Sequence, residues 1–209
     1  MKKGTVLSLK NLKFTDFMAK NNILVILILL FILGLAAGTF SGLKISVLSE
    51  YSDDYLKRFI SERTNATFFS VTLDSFMGSA LTLLLTFAAG TSMLGVILVP
   101  TIFLLRGVLY GSVSALLYSE YSVKGIAFNA VLIIPSAFVF IIAFLLAARE
   151  SMRFSLVIAK MSLPGAQSVN LSYDFKNFCG RYLFIALIAL ASALTDAVLS
   201  CSFLDSLIL

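Results

Sequence analysis

The chain has 209 residues, 59% hydrophobic and 13% charged, with a net charge of +5 and a mean hydropathy of +1.00. Soluble domains are about 45–50% apolar even with glycine counted, so the excess must face lipid, and the length suits one helical bundle without a second domain. Histidine is absent, which excludes His-based acid–base catalysis, Ser-His and Cys-His nucleophiles and HExxH zinc sites; the basic residues form no dense patch, which argues against nucleic acid and fits the Lys/Arg bias of cytoplasmic loops.

Residues 1–21 carry Lys2, Lys3, Lys10, Lys13 and Lys20 and are expected to be a cytoplasmic tail. The uncharged run 22–43 follows, long enough to cross a bilayer core, which takes about 20 apolar residues. The tail lysines are too dispersed for the charged region of a signal peptide, so an uncleaved helix is expected. Gly34, Gly38 and Gly42 recur on it at one per turn. Gly107 and Gly111 repeat the pattern on the third span. Such spacing clears a groove where a second backbone can approach, either inside the bundle or on a helix of another protein.

The stretch 44–70 is expected to be an outer amphipathic segment. Leu48, Tyr51, Tyr55 and Phe59 recur at three or four residues and define an apolar helical stripe. Glu50, Asp53 and Asp54 come early, and Lys57, Arg58 and Arg63 late, the order a helix dipole favours. The stripe either lies on the outer leaflet or docks a partner.

Spans two and three, 71–92 and 93–118, are joined tightly at Gly90-Thr91-Ser92. Span two holds Asp74; span three holds Pro100 and Arg106. Pro100 lacks an amide donor, and glycines flank it on both sides, so a third helix divided into two half-helices stays open. Span four, 125–148, contains Pro135; the stretch after it carries the turn signal Pro164-Gly165. Span five, 182–203, contains Asp196. The fold class is therefore all-α, a polytopic transmembrane bundle of about five spans. Cys179 and Cys201 fall on one predicted helix, roughly 33 Å apart at helical rise, too far for a disulfide. They offer too few ligands for a metal, and no cofactor is expected.

Lys and Arg counts set the orientation. With the N-terminus inside, the cytoplasmic pieces hold the five tail lysines together with Arg149, Arg153, Lys160, Lys176 and Arg181. The outer pieces hold Lys44, Lys57, Arg58, Arg63 and Lys124. That excess supports a cytoplasmic N-terminus and an outer C-terminus. Asp74, Arg106 and Asp196 remain inside spans, where ionisable groups are costly and face the bundle interior. From the cytoplasmic ends, Arg106 lies roughly 20 Å deep, Asp196 roughly 21 Å and Asp74 roughly 27 Å. These depths allow Arg106 to meet Asp196 as a buried charge network, structural in role or part of an ion pathway. No Walker A, GxGxxG or GxSxG motif is present; Gly111-Ser112-Val113-Ser114-Ala115 fails at its last position. An enzyme is not expected.

The order of features resembles the stage II sporulation protein M family of endospore-forming bacteria. The likeness runs through the basic tail, the glycine-ended first helix and Tyr55-Leu56-Lys57-Arg58-Phe59. It continues through Gly95-Val96-Ile97-Leu98-Val99-Pro100 and Arg106-Gly107-Val108-Leu109-Tyr110-Gly111 to Arg149-Glu150-Ser151-Met152-Arg153-Phe154-Ser155. Larger relatives carry Pro-His-Gly with a following Glu in helix four; Pro135-Ser136-Ala137-Phe138 has neither His nor Glu. The resemblance implies a multi-pass protein of the septal or engulfing membrane. It would be a non-enzymatic scaffold that supports membrane-anchored cell-wall hydrolases during engulfment, with homo-oligomers left open. The alternative is a transporter-like subunit that uses Asp74, Arg106 and Asp196 as a polar path. A transporter should hold a polar cavity, and a scaffold should be packed solid.

Overall fold

The structure, a computed structural model, describes residues 22–42, 44–64, 66–161 and 171–207. The basic tail, Leu43 at the end of the first predicted span and the Pro164-Gly165 turn signal lie outside the described residues. Helices follow one another with short joins: α1 Asn22–Ser41, α2 Ser46–Arg63, α3 Phe68–Gly90, α4 Gly95–Phe128, a π-turn Asn129–Ile133, α5 Ile134–Met161 and α6 Leu171–Leu207. Among the described residues, four helical runs are long and apolar enough to cross a membrane, at Asn22–Ser41, Phe68–Gly90, Gly95–Met161 and Leu171–Leu204. The all-α polytopic bundle expected from the sequence is what the chain forms.

The third run contains two antiparallel helices. At Ser122 the backbone takes φ 47° and ψ −123°, and the chain folds back. Asn129 Nδ2 then donates to Tyr118 Oη at 2.7 Å and to Ser114 Oγ at 3.2 Å. In a straight helix, residues eleven and fifteen apart would be separated by roughly 16 and 22 Å. The reversal falls between predicted spans three and four. A side chain at that backbone conformation is strained, by about 1–3 kcal/mol, whereas glycine adopts it freely. Ser122→Gly should therefore raise the unfolding midpoint in detergent, with a gain of about 1 kcal/mol. An unchanged or lowered midpoint would show the strain to be absent.

The suspected break at Pro100 does not occur, and α4 runs through it. Pro100 forfeits one bond, to the Val96 carbonyl, and only about one turn of helix precedes it. That turn adjoins the α3–α4 join, so the loss falls at a helix end and divides nothing.

The glycine motifs meet each other. A Cβ on Gly34 or Gly38 would strike the Leu104 or Val108 carbonyl oxygen of α4. One on Gly107 would lie 2.7 Å from the Phe31 carbonyl oxygen of α1, and one on Gly111 would strike that of Leu35. Gly42 faces Ser112, with its Cβ position 2.8 Å from the Ser112 Cα. The five glycines therefore close an internal helix pair, and none of them forms a vacant groove for another protein.

Two apolar cores fill the bundle. Nearer the α3–α4 join, rings stack: Phe103 on Phe144 with centroids 4.6 Å apart, Phe154 on Phe178 at 4.7 Å and Phe87 on Phe178 at 4.9 Å. Ala143, Ala147 and Ala189 are wholly buried among them. Nearer α2, a smaller core joins Leu56, Phe59, Leu117, Phe128, Leu132 and Leu204. Serines of α5 tie it to its neighbours: Ser155 Oγ donates to the Ser92 carbonyl of the join at 2.7 Å, and Ser151 shares a 2.6 Å hydrogen bond with Tyr182 of α6.

Candidate functional site

The amphipathic stretch forms α2, as its periodicity predicts, but its inward stripe is offset from the predicted one. Ser52, Leu56 and Phe59 are buried, and Ser52 Oγ donates to Ser112 Oγ at 3.0 Å. Phe59 is only 7% exposed and packs against Phe128 with centroids 6.0 Å apart. It is thus a core residue, which corrects its place among the docking candidates. Tyr51 and Tyr55 are 47% and 41% exposed, and Leu48 is half-buried. The residue set shifted because four apolar side chains at helical spacing can be satisfied by a stripe one position over. Ser52 is small enough for α2 to sit directly on α4.

Arg63, at the end of α2, continues the buried stripe: 52, 56, 59 and 63 share one helix face. Its guanidinium covers the Phe59 ring, 3.7 Å from the centroid. Its Nη2 donates to Asp196 Oδ2 at 2.6 Å and to Ser75 Oγ at 3.0 Å. Ser75 itself donates to Asp196. The Arg63 and Asp196 side chains are 9% and 7% exposed, so this is a buried ion pair that joins α2, α3 and α6. Arg63 Nε and Asp196 Oδ1 are enclosed without partners.

The expected pairing of Arg106 with Asp196 is therefore corrected: the partner of Asp196 is Arg63. Depth along the spans placed Arg106 and Asp196 at one level correctly enough that both line one cavity. Depth could not show that the end of α2 turns inward to the same level. Arg63 had been counted among outer-loop cations; its place on the Ser52–Leu56–Phe59 stripe was the signal that would have found it. Asp74 is exposed, with no ion pair among the described residues. Arg106 is half-buried between the rings of Tyr110 and Phe140, 5.7 and 5.6 Å from their centroids.

These residues surround a cavity of about 410 Å³. Its roof is α2, with Tyr51, Tyr55, Arg58 and Glu62. Ser75, Gly78, Ser79 and Thr82 of α3 form one wall, and Arg106, Leu109, Tyr110 and Val113 of α4 the other. Ser136 and Phe140 of α5 and Ser192 of α6 form the floor. Ile133, the last residue of the π-turn, also lines the cavity. Below Phe140 and Arg106, the next turns bring Phe144 and Phe103 into their stack, which closes the cavity toward the α3–α4 join. Tyr55 lines the cavity, and desolvation by the surrounding protein pushes its phenol up to about 12; Tyr110 adds to the shift and Arg63 opposes it. Tyr55 accordingly stays protonated, a hydrogen-bond donor, across the physiological range. No group of three or more potential metal ligands occurs among the described residues.

Comparison with protein-family models matches residues 27–201 to the family described as Stage II sporulation protein M. The match takes in α2, both glycine motifs and the cavity-lining residues. No curated protein and no solved structure matches the chain.

Proposed function

Since the chain belongs to the stage II sporulation protein M family, and is thereby a sporulation-related membrane protein, we propose that it is a non-enzymatic scaffold for cell-wall hydrolases. It would hold membrane-anchored peptidoglycan hydrolases at the septal or engulfing membrane, with its N-terminus cytoplasmic and its C-terminus outside. The family match over residues 27–201 is the observation that carries this function. Two features support it. The Lys/Arg excess favours an orientation with α2 on the outer face, where such enzymes work. The outward side of α2 carries Val47 at 71% exposure beside exposed Glu50 and Asp54, an apolar and acidic strip suited to a partner with basic flanks.

The test uses residues outside the cavity lining. Val47→Ser with Asp54→Lys should reduce capture of a cell-wall hydrolase from sporulating cells by about tenfold, one weakened contact of roughly 1.4 kcal/mol, while membrane insertion is unchanged. Capture equal to that of the unaltered chain would sink docking on α2. A transporter subunit is the second reading, and the polar cavity is the observation in its favour, since a bundle packed solid was the scaffold expectation. The stacked Phe103, Phe140 and Phe144 close that cavity on one side, so flux through it would require them to part. Solute or ion flux in proteoliposomes of the pure protein would favour the transporter.

A further inference from the structure

Among the described residues, Arg106 is a partly enclosed cation of the cavity that makes no ion pair. Arg63 is neutralised by Asp196 at 2.6 Å. Arg58, Glu62 and Asp74 line the cavity where they are exposed, so solvent screens them. Arg106 is half-buried, its Nε is enclosed with no acceptor, and among the described residues it makes no ion pair. The faces of Tyr110 and Phe140 attract it, which offsets part of the cost of a charge held at membrane depth. A guanidinium so placed presents a planar set of donors that fits a phosphate.

The lining is amphipathic. Arg58, Glu62 and Asp74 give it polar groups, while Leu81 of α3, at 62% exposure, and Leu109 of α4 give apolar ones. Between them Gly78 has no atom within 4 Å of where a Cβ would stand, which leaves the wall of α3 open at that point. Ser79, Thr82 and Ser136 add hydroxyls inside. The volume, about 410 Å³, falls in the range of small-ligand pockets, roughly 300–1,000 Å³. It suits a headgroup and excludes whole acyl chains, which have an apolar way out past Leu81.

We propose that this cavity binds the phosphate-bearing headgroup of a membrane lipid, with Arg106 on the phosphate and the acyl chains leaving past Gly78 and Leu81 into the bilayer. The site is independent of whether α2 recruits hydrolases, because its residues are not those altered in the docking test.

The experiment measures lipid retained by the purified full chain, by native mass spectrometry after exchange into detergent. The probes are phosphatidylglycerol, a diacylglycerol with the same chains but no phosphate, and glycerol 3-phosphate as the free anion. Phosphatidylglycerol should be retained at one equivalent, and diacylglycerol should not. Arg106→Gln should weaken retention by about tenfold, the loss of one charge-assisted contact. Gly78→Phe places bulk where space is open, so the fold is kept even if Arg106→Gln lowers yield, and it should weaken retention similarly. Retention of phosphatidylglycerol by Gly78→Phe and Arg106→Gln at the unaltered level would overturn the proposal. So would equal retention of diacylglycerol, which needs no phosphate contact, or displacement by glycerol 3-phosphate at matching concentration, which would mark a free-anion site.

Discussion

Asp196→Asn should lower the folded yield sharply, and adding Arg63→Gln should restore part of it, whereas adding Arg106→Gln should not. Asp196 and Arg63 are both almost wholly buried, 2.6 Å apart, and shared with Ser75. Removing the carboxylate leaves the Arg63 guanidinium with neutral neighbours, the Phe59 ring, the Phe59 carbonyl and Ser75. Stranding a buried charge costs about 3–5 kcal/mol, although replacing the whole pair can be neutral. The double-mutant cycle should therefore show a coupling of about 0.5–3 kcal/mol between Asp196 and Arg63. Unfolding midpoints of the four proteins in mixed detergent measure it. Strict additivity for that pair, or coupling of Asp196 to Arg106 instead, would contradict the observed geometry.

Gly38→Leu should be at least as damaging, and Gly107→Leu comparable. Overpacking a well-filled interior costs about 1–3 kcal/mol, and more where the neighbours cannot yield. Here the obstacle to a Cβ is backbone: the Val108 carbonyl for Gly38 and the Phe31 carbonyl for Gly107. A peptide group in the middle of a helix cannot swing aside as a side chain does. The two helices must separate, and they lose their contact along the whole motif. Gly78→Ala supplies the control, because nothing stands within 4 Å of its Cβ position. That change should be neutral or stabilising by about 0.5–1 kcal/mol, through helix propensity alone. Equal losses at Gly38 and Gly78 would mean that close backbone approach is not what these glycines supply.

Much of the bundle was legible because a bilayer demands it. Backbone groups in lipid must bond within their own segment, so long uncharged runs such as 22–43 had to be helices. Glycine at one per turn on two of them made a close pair between α1 and α4 readable, though not that the two sets answer each other. The tight join at Gly90-Thr91-Ser92 was readable for the same reason. Sequence left a break at Pro100 open, because the effect of a proline depends on how much helix precedes it. Ser122 gave no sign of the reversal, since serine carries no preference for positive φ, and neighbouring Gly125 proved to be a contact glycine, its Cβ position pressed on Leu117.

The site divides along the same line. Asp196 and Arg106 announce themselves in sequence, because a charge inside an apolar run is expensive wherever it points. Which charge meets which is another matter. Periodicity places a residue on a face of its own helix and leaves open the rotation and tilt that bring that face against another. Phe59 and Arg63 read as an outer surface until α2 is seen folded down over α4, with Phe59 on Phe128 and Arg63 on Asp196. Composition, span length and the glycine spacing were determined by the sequence itself, since each follows from interactions within one helix or between a helix and lipid. The roof that α2 makes, the Arg63–Asp196 pair and the unpaired Arg106 beneath it were decided only by the tertiary structure, because they depend on packing between segments far apart in the chain.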